Sequence, residues 1–224
     1  MLNLIYPWYV FLIMVTVGAY RPCWELLATF FPTVVSLPPY RQLYLAKNTL
    51  KAFNLMMICP LALYQTMEIL YFGRWNTTAL QWMGVTYAAA DTAALLYIHN
   101  LPATTLAHHA CTTLFCVANM LCDYGQPTIM RAIVFYAMCS CFSYSVNWYL
   151  GARHLLQPES GVLMRNWAFW CYLGSLMVNW PIQTVFVYRY LFVHSHWLST
   201  LIYCLGLGFI VQDDIVLLTF LAHK

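Results

Sequence analysis

Seven runs of mainly apolar residues divide most of this sequence between them, near 3–20, 52–72, 79–99, 102–122, 128–150, 167–190 and 197–220. Each is close to the length of about 20 residues that carries an α-helix across a hydrocarbon core. The runs therefore predict an all-α fold, a polytopic transmembrane helix bundle with six to seven spanning helices. Composition agrees: 62% of the 224 residues are hydrophobic and only 8% are charged, against about 25% charged in soluble domains. Mean hydropathy is +0.66. The net charge of +3 is small and spread through loops, which gives no support to nucleic-acid binding.

Between the first two runs lies a polar-aromatic stretch, Arg21–Lys51, broken by Pro22, Pro32, Pro38 and Pro39. Its apolar part, Leu26–Leu37, is too short to span and reads as interfacial or re-entrant. Residues 1–45 are accordingly expected to form a first spanning helix with an interfacial segment, and residues 46–224 the main transmembrane domain. The N-terminus lacks the basic region of a secretory signal, so Leu2–Tyr20 is read as a retained span. The nine cysteines contain no CxxC pair and sit mostly within apolar runs, as small packing residues.

Orientation follows from the asymmetry of basic residues in short loops. With the N-terminus outside or lumenal and the C-terminus cytoplasmic, Arg21, Arg41, Lys47, Lys51, Arg153, Arg165 and Lys224 fall on the cytoplasmic side, and Arg74, Arg131 and Arg189 outside. The same choice places the sequon Asn76-Thr77-Thr78 in an outer loop.

Against this apolar background, Asp91 in the third run and the pair His108-His109 in the fourth stand out. An ionisable group within a span is costly without a partner and marks a functional site by default. In that orientation, helical rise places Asp91 about 13 Å from the cytoplasmic end of its helix, the histidines about 10 Å in and Asp213-Asp214 about 12 Å in. Three helices thus bring ionisable residues to one level. In the fourth run Thr104, Thr105, His108, His109, Thr112, Thr113, Cys116 and Asn119 form a polar stripe, which belongs on the bundle interior because lipid offers it no partner. Ala88, Ala89, Ala90, Ala93 and Ala94 surround Asp91 with small side chains that permit close helix approach. Glu68 has Arg74 or Arg131 within reach as an ion-pair partner, and Asn147 and Asn179 are expected to bond between helices.

A buried imidazole held in one tautomer by a carboxylate is a competent base for acyl transfer. His108 and His109 are therefore the candidate catalytic residues, one as base or transient acyl acceptor, with Asp91 as its orienter. Tyr87, Thr105, Thr112, Asp213 and Asp214 are candidates for lining the substrate cavity. No metal site is expected, because neighbouring side chains on a helix diverge by about 100° and the usual chelating spacing is i, i+4. No tightly bound cofactor is expected either, and a retinal pigment would need a lysine in a late span, where only the terminal Lys224 is found.

The stretch YAAADTAALLYIHNLPATTLAHHACTTLFCVANML resembles the centre of the TLC domain, shared by translocating-chain-associated proteins, ceramide synthases and several small TLC-domain-containing proteins. There an acidic residue in one helix precedes a helix that opens on a His-His pair; Asp91 and His108-His109 occupy those positions. Lys47–Asn54, KNTLKAFN, is similar to the start of the domain, and the resemblance covers roughly residues 46–220. The downstream carboxylates of the ceramide synthases are missing from FYAMCSCFSYSVNWYLGARH, and VQDDIVLL stands where the last helix often carries Asn and Trp. The chain thus looks nearer the small TLC-domain branch. The resemblance implies a protein of lipid metabolism in the endoplasmic reticulum or another endomembrane, or the plasma membrane, with membrane lipids and long-chain acyl groups as partners. Acyltransferase activity with acyl-CoA as co-substrate is one expectation, a non-catalytic lipid-binding regulator of membrane composition the other; a homo-oligomer is compatible with both.

Overall fold

The computed structural model describes residues 2–191 and 197–223, with backbone alone at 2, 3, 190 and 191. Lys224, counted above among the cytoplasmic charges, lies outside the described residues. All regular structure among them is helical: α1 (Leu2–Phe30), α2 (Pro39–Phe72), α3 (Thr77–Tyr97), α4 (Ala103–Leu121), α5 (Met130–Ser140), α6 (Tyr144–Ala152), α7 (Pro158–Phe186) and α8 (Trp197–Ala222). Three of these, α1, α2 and α8, are long and apolar enough to cross a membrane.

The first two helices are longer than the apolar runs within them, and local bonds account for the difference. Beyond Tyr20, α1 continues through Pro22 because Arg21 Nε pairs with Glu25 one turn on at 2.8 Å and the Thr29 hydroxyl bonds the Glu25 carbonyl. Pro39 at the first turn of α2 has the fixed φ and the missing N–H that such a position favours. Between them a single 3₁₀ turn, Pro32–Val34, is closed by Gln42 Nε2, which donates to the carbonyls of Val34 and Leu37. The stretch read as interfacial is therefore mostly helix, and the division at 45/46 falls inside α2.

The run at 128–150 is broken rather than continuous. Around one 3₁₀ turn, Cys141–Ser143, polar side chains bond the nearby backbone: Cys141 Sγ to Ala137 O, Ser145 Oγ to Phe142 O and Asn147 Nδ2 to Ser143 O. Such local bonds compete with the regular ladder and bend helices. At the α2–α3 turn, Gly73 adopts φ 63°, a left-handed conformation suited to glycine, and Asn76 caps α3 by accepting from Ala79 N.

Packing joins α2, α3, α4, α8, α7 and the α5–α6 rod into a closed ring, with α1 outside it against α2 and α3. Close crossings depend on small residues. Ala88, Ala89, Ala90, Ala93 and Ala94 of α3 are all buried, and a side chain on Gly151 of α6 would stand 2.7 Å from Thr49 Oγ1 of α2. Polarity is distributed as lipid demands. Large apolar side chains such as Met57, Leu114, Leu163 and Trp170 cover the outside, while Lys47, Lys51, Gln81, Asp91, His109, Asn119, Gln183 and Asp214 are buried within.

Candidate functional site

Asp91 is completely buried at the centre of α3. Its neighbours come from two other helices. Lys51 of α2 donates its ammonium to Asp91 Oδ1, and from α4 His109 Nδ1 lies 3.0 Å from Oδ1 and His108 Nε2 3.9 Å from Oδ2. The other nitrogen of His108, Nδ1, is 3.4 Å from Asp213 Oδ2 on α8. His108 thus lies between two carboxylates, one locked in an ion pair with lysine and one 18% exposed along its side chain.

Two cavities meet at His108 and Tyr87. The larger, about 260 Å³, is a polar chamber walled by Lys47, Lys51, His109, Asn147, Arg153 and Asp213 among others. The smaller, about 60 Å³, is an apolar slot between α3, α4, α5 and α8, lined by Ala88, Phe115, Ile133, Val134, Leu207 and Ile210. Its sides are shaped by a close contact: a side chain on Gly206 would stand 2.5 Å from the Phe115 ring.

The adjacent carboxylates of α8 separate. Asp213 faces His108 and accepts a long hydrogen bond from Thr105 at 3.5 Å. Asp214, buried, accepts from the Tyr172 hydroxyl at 2.5 Å and from the Tyr136 hydroxyl. Both aspartates border the chamber. Tyr87 borders both cavities, and Thr105 only the chamber. Thr112 lines the apolar slot, and its hydroxyl donates to the His108 carbonyl one turn back at 3.0 Å.

The expected divergence of the histidines does not keep them from one acceptor. Their rings are 5.6 Å apart at 85°, and one donor atom from each lies with Asp91 inside a sphere of ligand-like contacts, all within 4.8 Å of one another. A carboxylate on the neighbouring helix reaches both because it presents two oxygens. Such a donor set has the right chemistry for a divalent ion, yet the Lys51 ammonium already sits on the same carboxylate and its charge opposes a second cation there.

Lys47, Lys51, Tyr136 and Tyr172 were not among the candidates from sequence. The two lysines fall before the apolar run at 52–72 and read as loop charges; Pro38-Pro39, a helix-start signal, is the mark that brings them into α2. Next to Arg153, partial burial and the Arg153 guanidinium hold His154 below the usual histidine value. Elsewhere, Glu68 pairs with Arg74 at 3.5 Å as expected. Asn147 and Asn179 instead bond within their own helices, to Ser143 O and to Gln183 Nε2. No family model, curated protein or solved structure matches the chain significantly.

Proposed function

We propose that this chain is a seven-span membrane protein of the TLC type that acts on acyl lipids of an endomembrane, with His108 as its base. The observation that carries this reading is the position of His108, where a polar chamber and an apolar slot meet and a carboxylate faces each ring nitrogen. A lipid with its acyl chain in the slot would have its ester or thioester carbonyl near the imidazole and its polar end in the chamber.

The reaction this favours is acyl transfer. His108, neutral, takes the proton of an acceptor hydroxyl or amine as that oxygen or nitrogen attacks the acyl carbonyl. The bond from acyl carbon to leaving group then breaks, and the same proton passes to the leaving group. Asp91, fixed by Lys51, and Asp213 stabilise the imidazolium formed between these steps. His109 shares Asp91 and holds its orientation. The N-out, C-in orientation would open the chamber toward the cytoplasm.

The second reading is a non-catalytic lipid-binding regulator that uses the same two cavities. It draws on His109, which lines the chamber and whose Nε2 has no hydrogen-bond partner among the described residues. Purification in mild detergent, with analysis of co-purifying lipids and of their turnover, separates the two. An acyltransferase loses turnover in His108→Ala while keeping its bound lipid; turnover-free lipid binding by both wild type and variant assigns the regulator.

A further inference from the structure

Two cations of the chamber wall lie without an ion-pair partner among the described residues, although carboxylates are present nearby. Each acidic group has a partner: Asp91 holds Lys51, Asp213 faces His108 and Thr105, and Asp214 accepts from two tyrosines. The cations Lys47 and Arg153 have no carboxylate within ion-pair distance among the described residues. Lys47 lies one turn before Lys51 on α2 and is only 5% exposed, with its ammonium 5.1 Å from the Tyr44 ring centre. Arg153 stacks its guanidinium 5.3 Å from the Phe220 ring and bonds His154 through Nε. Both line the chamber. A buried ammonium in an apolar bundle is costly unless an anion or several hydrogen bonds meet it, and the cation–π contact replaces only part of its hydration.

We propose that Lys47 and Arg153 form a subsite for an oxyanion at the head of a single-chain lipid, whose tail runs past His108 into the apolar slot. This rests on the acyl-lipid reading above and names its substrate class. A neutral headgroup leaves Lys47 unmatched. A carrier nucleotide with several phosphates exceeds two free cations and meets Asp213 on the chamber wall. A carboxylate or a phosphate monoester suits both the charge and the chamber. The slot, about 60 Å³ and lined by side chains from four helices, has room for no more than one chain and for only the first part of its length. The same oxyanion chemistry has two lipid sources, a free fatty acid and a lysophosphatidic acid.

The test is equilibrium binding to the full chain in nonionic detergent, with oleate, oleoyl-lysophosphatidate and monooleoylglycerol as probes that share one tail. Wild type binds at least one of the anions about tenfold to a hundredfold more tightly than the glyceride, the range of a charge-assisted contact; the stronger of the two identifies the source. Lys47→Gln removes most of that preference and leaves glyceride binding unchanged, Lys47→Arg keeps it, and Arg153→Gln at the rim lowers it less. Should Lys47→Gln fail to fold, Arg153→Gln and Lys47→Arg carry the comparison. Equal affinity of wild type for all three probes, or a preference untouched by Lys47→Gln and Arg153→Gln, overturns the subsite. Because no turnover is read, loss of anion preference with intact His108-dependent turnover removes the subsite alone. Anion preference without such turnover removes the catalytic reading alone.

Discussion

Two polar regions lie within the same apolar bundle, and they differ in how their hydrogen bonds close. Near the α3–α4 end that carries the 122–129 loop, Asn119 donates to Gln81 O and accepts from the Tyr124 hydroxyl, while Gln81 donates to the carbonyls of Met120 and Cys122. Arg131 donates to the carbonyls of Tyr124 and Gly125 and stacks 4.5 Å from the Trp75 ring centre. Around Asp91, by contrast, one carboxylate oxygen, His108 Nδ1 and His109 Nε2 are buried without a hydrogen bond, and His109 Nδ1 has only the Asp91 carboxylate at 3.0 Å. Buried polar atoms in folded proteins are nearly always paired. The closed network is a clasp that fixes two helices, and the open one lies beside a chamber, where the proposed function would place a ligand.

The largest effect expected on either side is loss of the ion pair beneath the open network. Lys51→Met leaves the Asp91 carboxylate buried against two imidazoles alone, and removal of one partner of a buried pair costs about 3–5 kcal/mol. Thermal unfolding in detergent should report that loss, and the double variant with Asp91→Leu should recover much of it, because neither charge then remains. Equal damage in single and double variants would mean that the pair does not act as a unit.

Smaller losses of stability are expected in the clasp. A side chain on Gly84 would stand 2.6 Å from Asn119 Nδ2, which its hydrogen bonds hold in place. Gly84→Ala should therefore cost about 1–3 kcal/mol by overpacking, and Tyr124→Phe about 1–2 kcal/mol by leaving Asn119 Oδ1 unmatched. Gly84 and Tyr124 also line the apolar slot, so lipid binding is compared instead in Gln81→Leu, which removes the bonds to the Met120 and Cys122 carbonyls and lines neither cavity. At a temperature where it is folded it should bind lipid as wild type does, and a matching fall in binding would erase the distinction between the two regions.

The smallest effect is a pH dependence at the edge of the clasp. The Gly125 N–H and the Thr77 hydroxyl bond the Asp123 carboxylate and hold its pKa below the usual range, with Arg131 adding to the same direction. A folded-state pKa below the unfolded one stabilises the fold above the unfolded value, and the contribution disappears as pH falls through the folded value. Apparent Tm should thus drop slightly more in wild type than in Asp123→Asn between neutral pH and about pH 3; identical profiles would assign Asp123 no part in it.

How much of this was legible in the sequence depended on whether a residue departed from its local background. Asp91 and the His pair interrupt apolar runs, so their common level could be read, and the alanines beside Asp91 announced a tight crossing. Lys51 and Lys47 precede an apolar run and read as loop residues, because hydropathy does not register a helix that begins at Pro39 and buries its polar first turns. Tyr136 and Tyr172 looked like ordinary aromatic residues of apolar runs, since nothing local marks that their hydroxyls meet Asp214 of a distant helix. Asn147 and Asn179 were assigned partners on other helices and instead meet Ser143 O and Gln183 Nε2, each four residues away in sequence.

On this reading His108, at the meeting point of chamber and slot, carries out chemistry that the clasp does not. Turnover of a labelled acyl lipid by the purified chain, compared between His108→Ala and Gln81→Leu with bound lipid measured in both, tests it directly. A fall of about 10²–10⁴-fold is expected for His108→Ala, the usual contribution of a positioned base, with lipid still bound and Gln81→Leu close to wild type. Turnover in His108→Ala equal to that in Gln81→Leu, with lipid bound in both, would contradict it.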